Sequence, residues 1–238
     1  MISEGGAMRT RLPLLIALLA LAAPAAANTR NFGITSFEKV RVDGPFKVTL
    51  TTGVAPFARA TGSAAALDRV AIDVRGNTLV VHNNLDSWGG YPGKDVGPVE
   101  ISLGTHDLSA AWLNGSGSLA IDRVKGLSFD LSVQGSGAGE ISQASVDQLN
   151  VSVVGTASAR LAGRAAKLTA EIRGISSLDA AALSSKDATL GADGAATIAA
   201  NVTDSVTVDA SGPATVRLNG SPSCTLRVSG SASVSGCR

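Results

Sequence analysis

From Ser109 to the C-terminus, apolar and polar positions alternate with a period of two, and a glycine interrupts the alternation at a nearly constant interval. The glycines are Gly115, Gly135, Gly155, Gly174, Gly194, Gly212 and Gly230, spaced 20, 20, 19, 20, 18 and 18 residues apart. Two positions before them stand Leu113, Val133, Val153, Ile172, Ala192, Ala210 and Val228. Four before stand Ala111, Leu131, Val151, Ala170, Leu190, Val208 and Leu226. The positions between are mostly polar. Alternation of this kind predicts a half-buried strand, because successive side chains point to opposite faces. After each glycine a second short alternation follows, as in Leu119 and Ile121 or Ile198 and Ala200. Two residues past each glycine the side chain is always small: Gly117, Gly137, Ala157, Ser176, Ala196, Ala214 and Ala232. Glycine supplies the conformational freedom of a corner, and a tight corner admits only small neighbours. Each repeat therefore predicts two strands, a glycine corner between them and a polar turn that closes a coil.

A repeat of this length cannot bury its own apolar row, so each coil must stack on the next. The predicted fold is all-β: a right-handed parallel β-helix-like solenoid with 18–20-residue coils. Seven coils at about 4.8 Å each make a rod roughly 30 Å long. A β-sandwich of short strands is the competing fold, but it does not require one register over seven repeats. A leucine-rich repeat has a similar period, and its Leu and Asn pattern is absent.

Residues 28–106 follow the theme less regularly and predict an N-terminal β region that caps the solenoid of residues 107–238. Val40 and Val42 precede Gly44, and Phe46, Val48 and Leu50 follow it. Val70, Ile72 and Val74 lead through Gly76-Asn77 to Leu79, Val80 and Val81, a strand pair around a turn. Val99, Ile101 and Leu103 predict a further strand, and Phe32, Phe37, Phe46 and Phe57 concentrate in this half.

The first 27 residues read as an address. Arg9 and Arg11, an apolar run from Leu12 to Ala23, and Ala25-Ala26-Ala27 make a signal peptide cleaved after Ala27. An uncleaved anchor helix is the alternative, and either Met1 or Met8 fits as the start. Export predicts a periplasmic, cell-surface or secreted protein, with no other stretch long and apolar enough to span a bilayer. Without Glu4, Arg9 and Arg11, the 20 basic and 19 acidic residues become 18 of each. A neutral chain excludes an electrostatic nucleic-acid binder. An oxidising compartment makes the two cysteines, Cys224 and Cys237, a disulfide that staples the last coil. A two-cysteine metal site is the alternative, with no histidine nearby.

The segment Phe37-Glu38-Lys39-Val40-Arg41-Val42-Asp43-Gly44-Pro45-Phe46-Lys47-Val48 resembles the opening strand pair of the head GIN domain family of auto-transporter adhesins. Gly76-Asn77-Thr78-Leu79 and the corners Asn114-Gly115-Ser116-Gly117 and Gln134-Gly135-Ser136-Gly137-Ala138-Gly139 are also similar to it. The resemblance runs from about residue 37 to 237. It implies a β-helix-like exported domain of the bacterial envelope, and no catalytic residues. The chain has no room for the membrane barrel of an autotransporter, so surface contact is the part of the description that carries over.

Chemistry is sparse. His82 and His106 have no zinc-ligand spacing, and the glycine corners match neither phosphate loops nor calcium-binding repeats. No cofactor is implied. Parallel β-helices often act on polysaccharides, and Asp130, Glu171, Asp209, Arg173 and Arg227 occupy outward positions; a solvated mixed-charge face that keeps the rod soluble is the preferred account of them. Aromatic residues are only 3% of the chain, which makes the segment 85–94 stand out: it holds Trp88 and Tyr91 among flexible glycines. Trp112 falls on the outward face of the register. These three are the expected contacts for a glycan or an envelope protein partner; the alternative is a plug in which they shield one another. The expected function is a non-enzymatic envelope or surface module. A polysaccharide-active enzyme and a purely structural periplasmic protein are the alternatives.

Overall fold

The computed structural model describes residues 28–84 and 97–238. The expected signal peptide, and Trp88 and Tyr91, lie outside the described residues.

The chain begins with four short strands, β1 (Asn28–Phe32), β2 (Lys39–Asp43), β3 (Lys47–Thr52) and β4 (Phe57–Gly62). A single helical turn comes next, α1 (Ala64–Leu67), capped by the Ser63 hydroxyl, which accepts from the Ala66 amide. Then come β5 (Val70–Arg75), β6 (Thr78–Asn83), β7 (Glu100–Thr105) and β8 (Ala110–Gly115). The repeats form five long strands: β9 (Ser118–Gly135), β10 (Ala138–Gly155), β11 (Ser158–Gly174), β12 (Ser177–Asp193) and β13 (Thr197–Ser211). The last coil is split into β14 (Thr215–Asn219), β15 (Ser223–Val228) and β16 (Ser233–Ser235).

The five long strands pair in parallel with their sequence neighbours, one coil to the next. Thus Leu131 lies beside Val151, Val151 beside Ala170, Ala170 beside Leu190 and Leu190 beside Val208, and all five are buried. The fold is a β-solenoid of about 6 turns. The N-terminal strands join the same stack: β3 pairs in parallel with β9, and β2 with β8.

The seven repeat glycines adopt positive φ, between 73° and 118°, and Gly44 heads the column with φ 132°. The amide of Thr156 donates to the Gly135 carbonyl at 2.8 Å and that of Ile175 to the Gly155 carbonyl at 2.8 Å, so the ladder continues around the corner. In the middle of the column no side chain fits: a Cβ on Gly135 would lie 2.6 Å from the Gly115 carbonyl oxygen, and one on Gly174 2.6 Å from that of Gly155.

The expected closing turn is corrected by the structure. From β9 to β13 the chain stays in long strands through that region, and each of these coils has three sides. In β10 the inward residues are Gly139 and Ile141, then Ala144 and Val146, then Leu149, Val151 and Val153. Between these groups stand two successive exposed residues, Ser142-Gln143 and Asp147-Gln148. A straight strand alternates, so two outward neighbours mark a bend. The polar residues of the expected turn are these two bends, and the short side between them remains paired with the next coil, as in Val146 beside Ala165.

The N-terminal end is built differently. There β4 runs antiparallel to β7, and β1 antiparallel to β4. Arg30 of β1 donates to the Leu67 carbonyl at 3.1 Å and pairs with Asp68 at 2.6 Å, tying the outermost strand to α1. Phe37 and Phe46 are buried, and Thr105, also buried, donates to the Phe37 carbonyl. Cys224 and Cys237 are joined by a disulfide with a Cα–Cα distance of 5.7 Å.

Candidate functional site

The three sides of the solenoid differ in chemistry. The side that ends at the glycine corner carries an outward middle row running across the strands, Arg41–Trp112–Ser132–Ser152–Glu171–Gly191–Asp209–Arg227. Its centre is built of small side chains, so the flanking rows stand above it and form a trough. Asp130, Asn150 and Thr169 line one wall; Val154 and Arg173 line the other, around a space of about 420 Å³. A second space of about 440 Å³ opens against Trp112, lined by Arg41, Thr78, Asn114 and Gln134. Gln134 lies beside Val154 in the ladder, so the two spaces are consecutive along one side. The lining residues come from β6, β2, β8, β9, β10 and β11, and six strands at about 4.8 Å spacing give the trough a length of roughly 24 Å.

Trp112 is half-buried in β8, with Arg41 on one side in the ladder and Ser132 on the other. The polar groups near it are bonded to one another. Arg41 Nε donates to Asp43 Oδ1 at 3.0 Å, and Asn114 Nδ2 donates to the same oxygen at 2.7 Å. Asn150 Nδ2 donates to Asp130 Oδ1 at 2.7 Å. These contacts hold each amide in one orientation, with its other hydrogen-bonding groups uncommitted to Asp43 or Asp130. The arrangement offers an aromatic face and several amides, with Arg41 paired to Asp43, Arg173 near Glu171, and Asp130 bonded to the neutral Asn150. It suits stacking and neutral hydrogen bonding.

The side after the corner also carries a shallow trough, lined by Lys47, Ser118, Ala120, Glu140, Arg160 and Asp179 among others. Its charges pair along the stack, Lys47 with Glu100 at 2.7 Å and Arg160 with Asp179 at 3.5 Å, and it has no aromatic residue.

The groups weighed for catalysis are spread apart. Asp130 is engaged by Asn150, Glu171 lies 3.8 Å from Arg173 and folds over Gly191, and Asp209 is two rungs from Glu171 in the ladder. His82 bonds Asp73 at 3.0 Å on the β5–β6 hairpin. Among the described residues no group of three or more His, Cys, Asp or Glu side chains converges to hold a metal. Sequence reasoning placed Trp112 outward and missed its surroundings. Arg41 is 71 positions from Trp112, and only the pairing of β2 with β8 brings them together.

The family model described as "Putative auto-transporter adhesin, head GIN domain" matches residues 36–222. No curated protein is similar. Among solved structures, a putative adhesin from Bacteroides fragilis is 18% identical with a TM-score of 0.78, covering 89% of this chain and 96% of that one. A putative lipid binding protein from Parabacteroides distasonis is 16% identical with a TM-score of 0.70, covering 87% and 95%. A putative adhesin from the same species is 15% identical with a TM-score of 0.66, covering 88% and 96%. At these identities the likeness shows the fold. These neighbours carry the names of binding proteins, not of enzymes.

Proposed function

The chain belongs to the head GIN domain family of adhesin-like proteins, and from that premise we propose that it is a non-enzymatic, exported binding module whose Trp112 trough takes an extended, neutral glycan. The observation that carries this reading is the position of Trp112, half-buried in the middle row of a flat side and flanked by the amides of Asn114 and Gln134. A glycan strand laid along the rod meets one new rung of polar side chains per coil. Trp112 supplies the apolar platform for a pyranose face, and Asn114, Gln134 and Asn150 supply hydrogen bonds to hydroxyls. Trp88 and Tyr91 are proposed as further contacts of the same kind.

The test is binding of the purified protein to a panel of immobilised polysaccharides. Trp112→Ala and Gln134→Ala are expected to weaken binding to the best ligand by about tenfold or more, the energy of one good stacking or hydrogen-bond contact. Thermal unfolding of both variants is followed in parallel. Binding unchanged in both variants would sink the trough as the site. Reproducible release of reducing sugars from the panel would replace the reading with the polysaccharide-active enzyme.

Location has its own test. Protease added to intact cells is expected to degrade the protein without lysis, as an outward-facing binding module requires. Protection until the outer membrane is opened would confine it to the periplasm and exclude contact with external surfaces.

A further inference from the structure

The last coil keeps the inward apolar pattern of every coil before it, yet among the described residues no further coil covers it. Leu226 occupies the row of Leu131, which is 2% exposed, and of Val208, which is 0% exposed; Leu226 itself is 44% exposed. Val228 continues the row of Val133 and Ala210, both fully buried, and is 47% exposed. Among the described residues strand β15 pairs only with β13, and one edge of its backbone donors and acceptors has no partner strand there. The disulfide from Cys224 to Cys237 holds this edge in place. The end is thus stapled and left open.

We infer that this open end pairs with the same end of a second copy of the chain, giving a two-fold, end-to-end dimer. Along the repeats from β9 to β13, what covers such a row is another coil of the same outline. The opposite end of the molecule does not offer one: its outer strands β1 and β4 are antiparallel, and α1 buries Ala66 and Leu67 there. The matching surface is the C-terminal coil of another copy. Two-fold symmetry makes the paired β15 strands antiparallel, and the register that overlaps the whole apolar row, Leu226 opposite its own copy and Val228 opposite Cys224, is the one inferred. In that register Arg227 falls opposite Thr225, so the two arginines of the edge do not meet. No acidic residue comes after Asp209, and Arg217, Arg227 and Arg238 are the only charged side chains beyond it, so a register that sets Arg227 opposite itself would be repelled. The contact is confined to one strand edge and one apolar row, so the dimer is reversible and concentration-dependent.

Sedimentation equilibrium of the purified protein, from about 1 μM to about 1 mM, reads this directly. A monomer–dimer equilibrium is expected, weakened about tenfold or more by Leu226→Arg. The outward pair sets the sign of two further variants that leave the inward row intact. Thr225→Glu faces the partner's Arg227 and tightens the dimer; Thr225→Lys faces the same residue and weakens it. Far-UV circular dichroism checks that each variant keeps its strand content. A monomer at every concentration overturns the inference. So does a dimer indifferent to Leu226→Arg, or one that responds alike to Thr225→Glu and Thr225→Lys.

Discussion

Asn150 donates a 2.7 Å hydrogen bond to Asp130, twenty positions earlier in the chain and one rung away in the parallel ladder. The bond fixes a charged and a neutral side chain in adjacent coils of the same outward row. Asn150→Asp sets two carboxylates side by side and is expected to cost about 0.5–1 kcal/mol at neutral pH. The exchange Asp130→Asn with Asn150→Asp rebuilds the bond in reverse and restores most of that loss. Urea unfolding of the wild type, both single variants and the pair gives the coupling.

The glycine column is expected to tolerate no side chain. Gly155 has φ 107°, and a Cβ there would lie 2.5 Å from the Gly135 carbonyl oxygen, which already accepts from Thr156. Gly155→Ala combines backbone strain with a clash against fixed backbone and should cost at least about 3 kcal/mol. Gly126 has φ 132° with nothing within 4 Å of its would-be Cβ. Gly126→Ala keeps only the strain, about 1–2 kcal/mol. Equal losses in denaturant titrations would refute the stacking argument.

Ser185 points into the core in the row that holds Val146 and Ala165, and its buried hydroxyl has no hydrogen-bond partner. Ser185→Ala removes an unsatisfied polar atom and leaves the shape almost unchanged. A gain of about 1 kcal/mol is expected. A loss of stability would mean that the hydroxyl is bonded in solution.

Reducing the Cys224–Cys237 bridge is expected to loosen one end only. In a stack of coils each layer depends on its neighbours, so the loss spreads inward and fades. Hydrogen exchange should rise at β15 and β16 and stay unchanged in β9 to β11. The loop of 13 residues corresponds to about 3 kcal/mol in the chain-entropy model. Uniform acceleration across all coils would show a single cooperative unit instead.

The repeating glycines and the two long apolar rows were readable in the sequence because each involves residues a fixed distance apart. The third side was not. It offers only two inward positions per coil, such as Ala144 and Val146, and in β9 one of them is Gly126. So short an alternation, framed by pairs of polar residues, has the local signature of a turn. The pairing of Cys224 with Cys237 came from their number and compartment, but the exposure of Leu226 beside it did not, since an inward pattern says nothing about what lies above it. Trp112 was legible as outward from parity alone. Its trough depends on which strand lies beside which, and the contact of β2 with β8 spans the whole β5–β6 hairpin and β7.

The stacked corner glycines govern how a protein of this kind can change in size. Deleting a single residue within a side exchanges inside and outside for every residue between the deletion and the next bend, and shifts the next glycine off its column. Removing or duplicating the stretch from one corner to the next does neither, because each coil presents the same outline above and below. Size is therefore quantised in steps of 18–20 residues and about 4.8 Å of rod. Duplication of whole coils is the change this architecture absorbs, and a copy with one coil more would carry the same two ends, one trough rung longer.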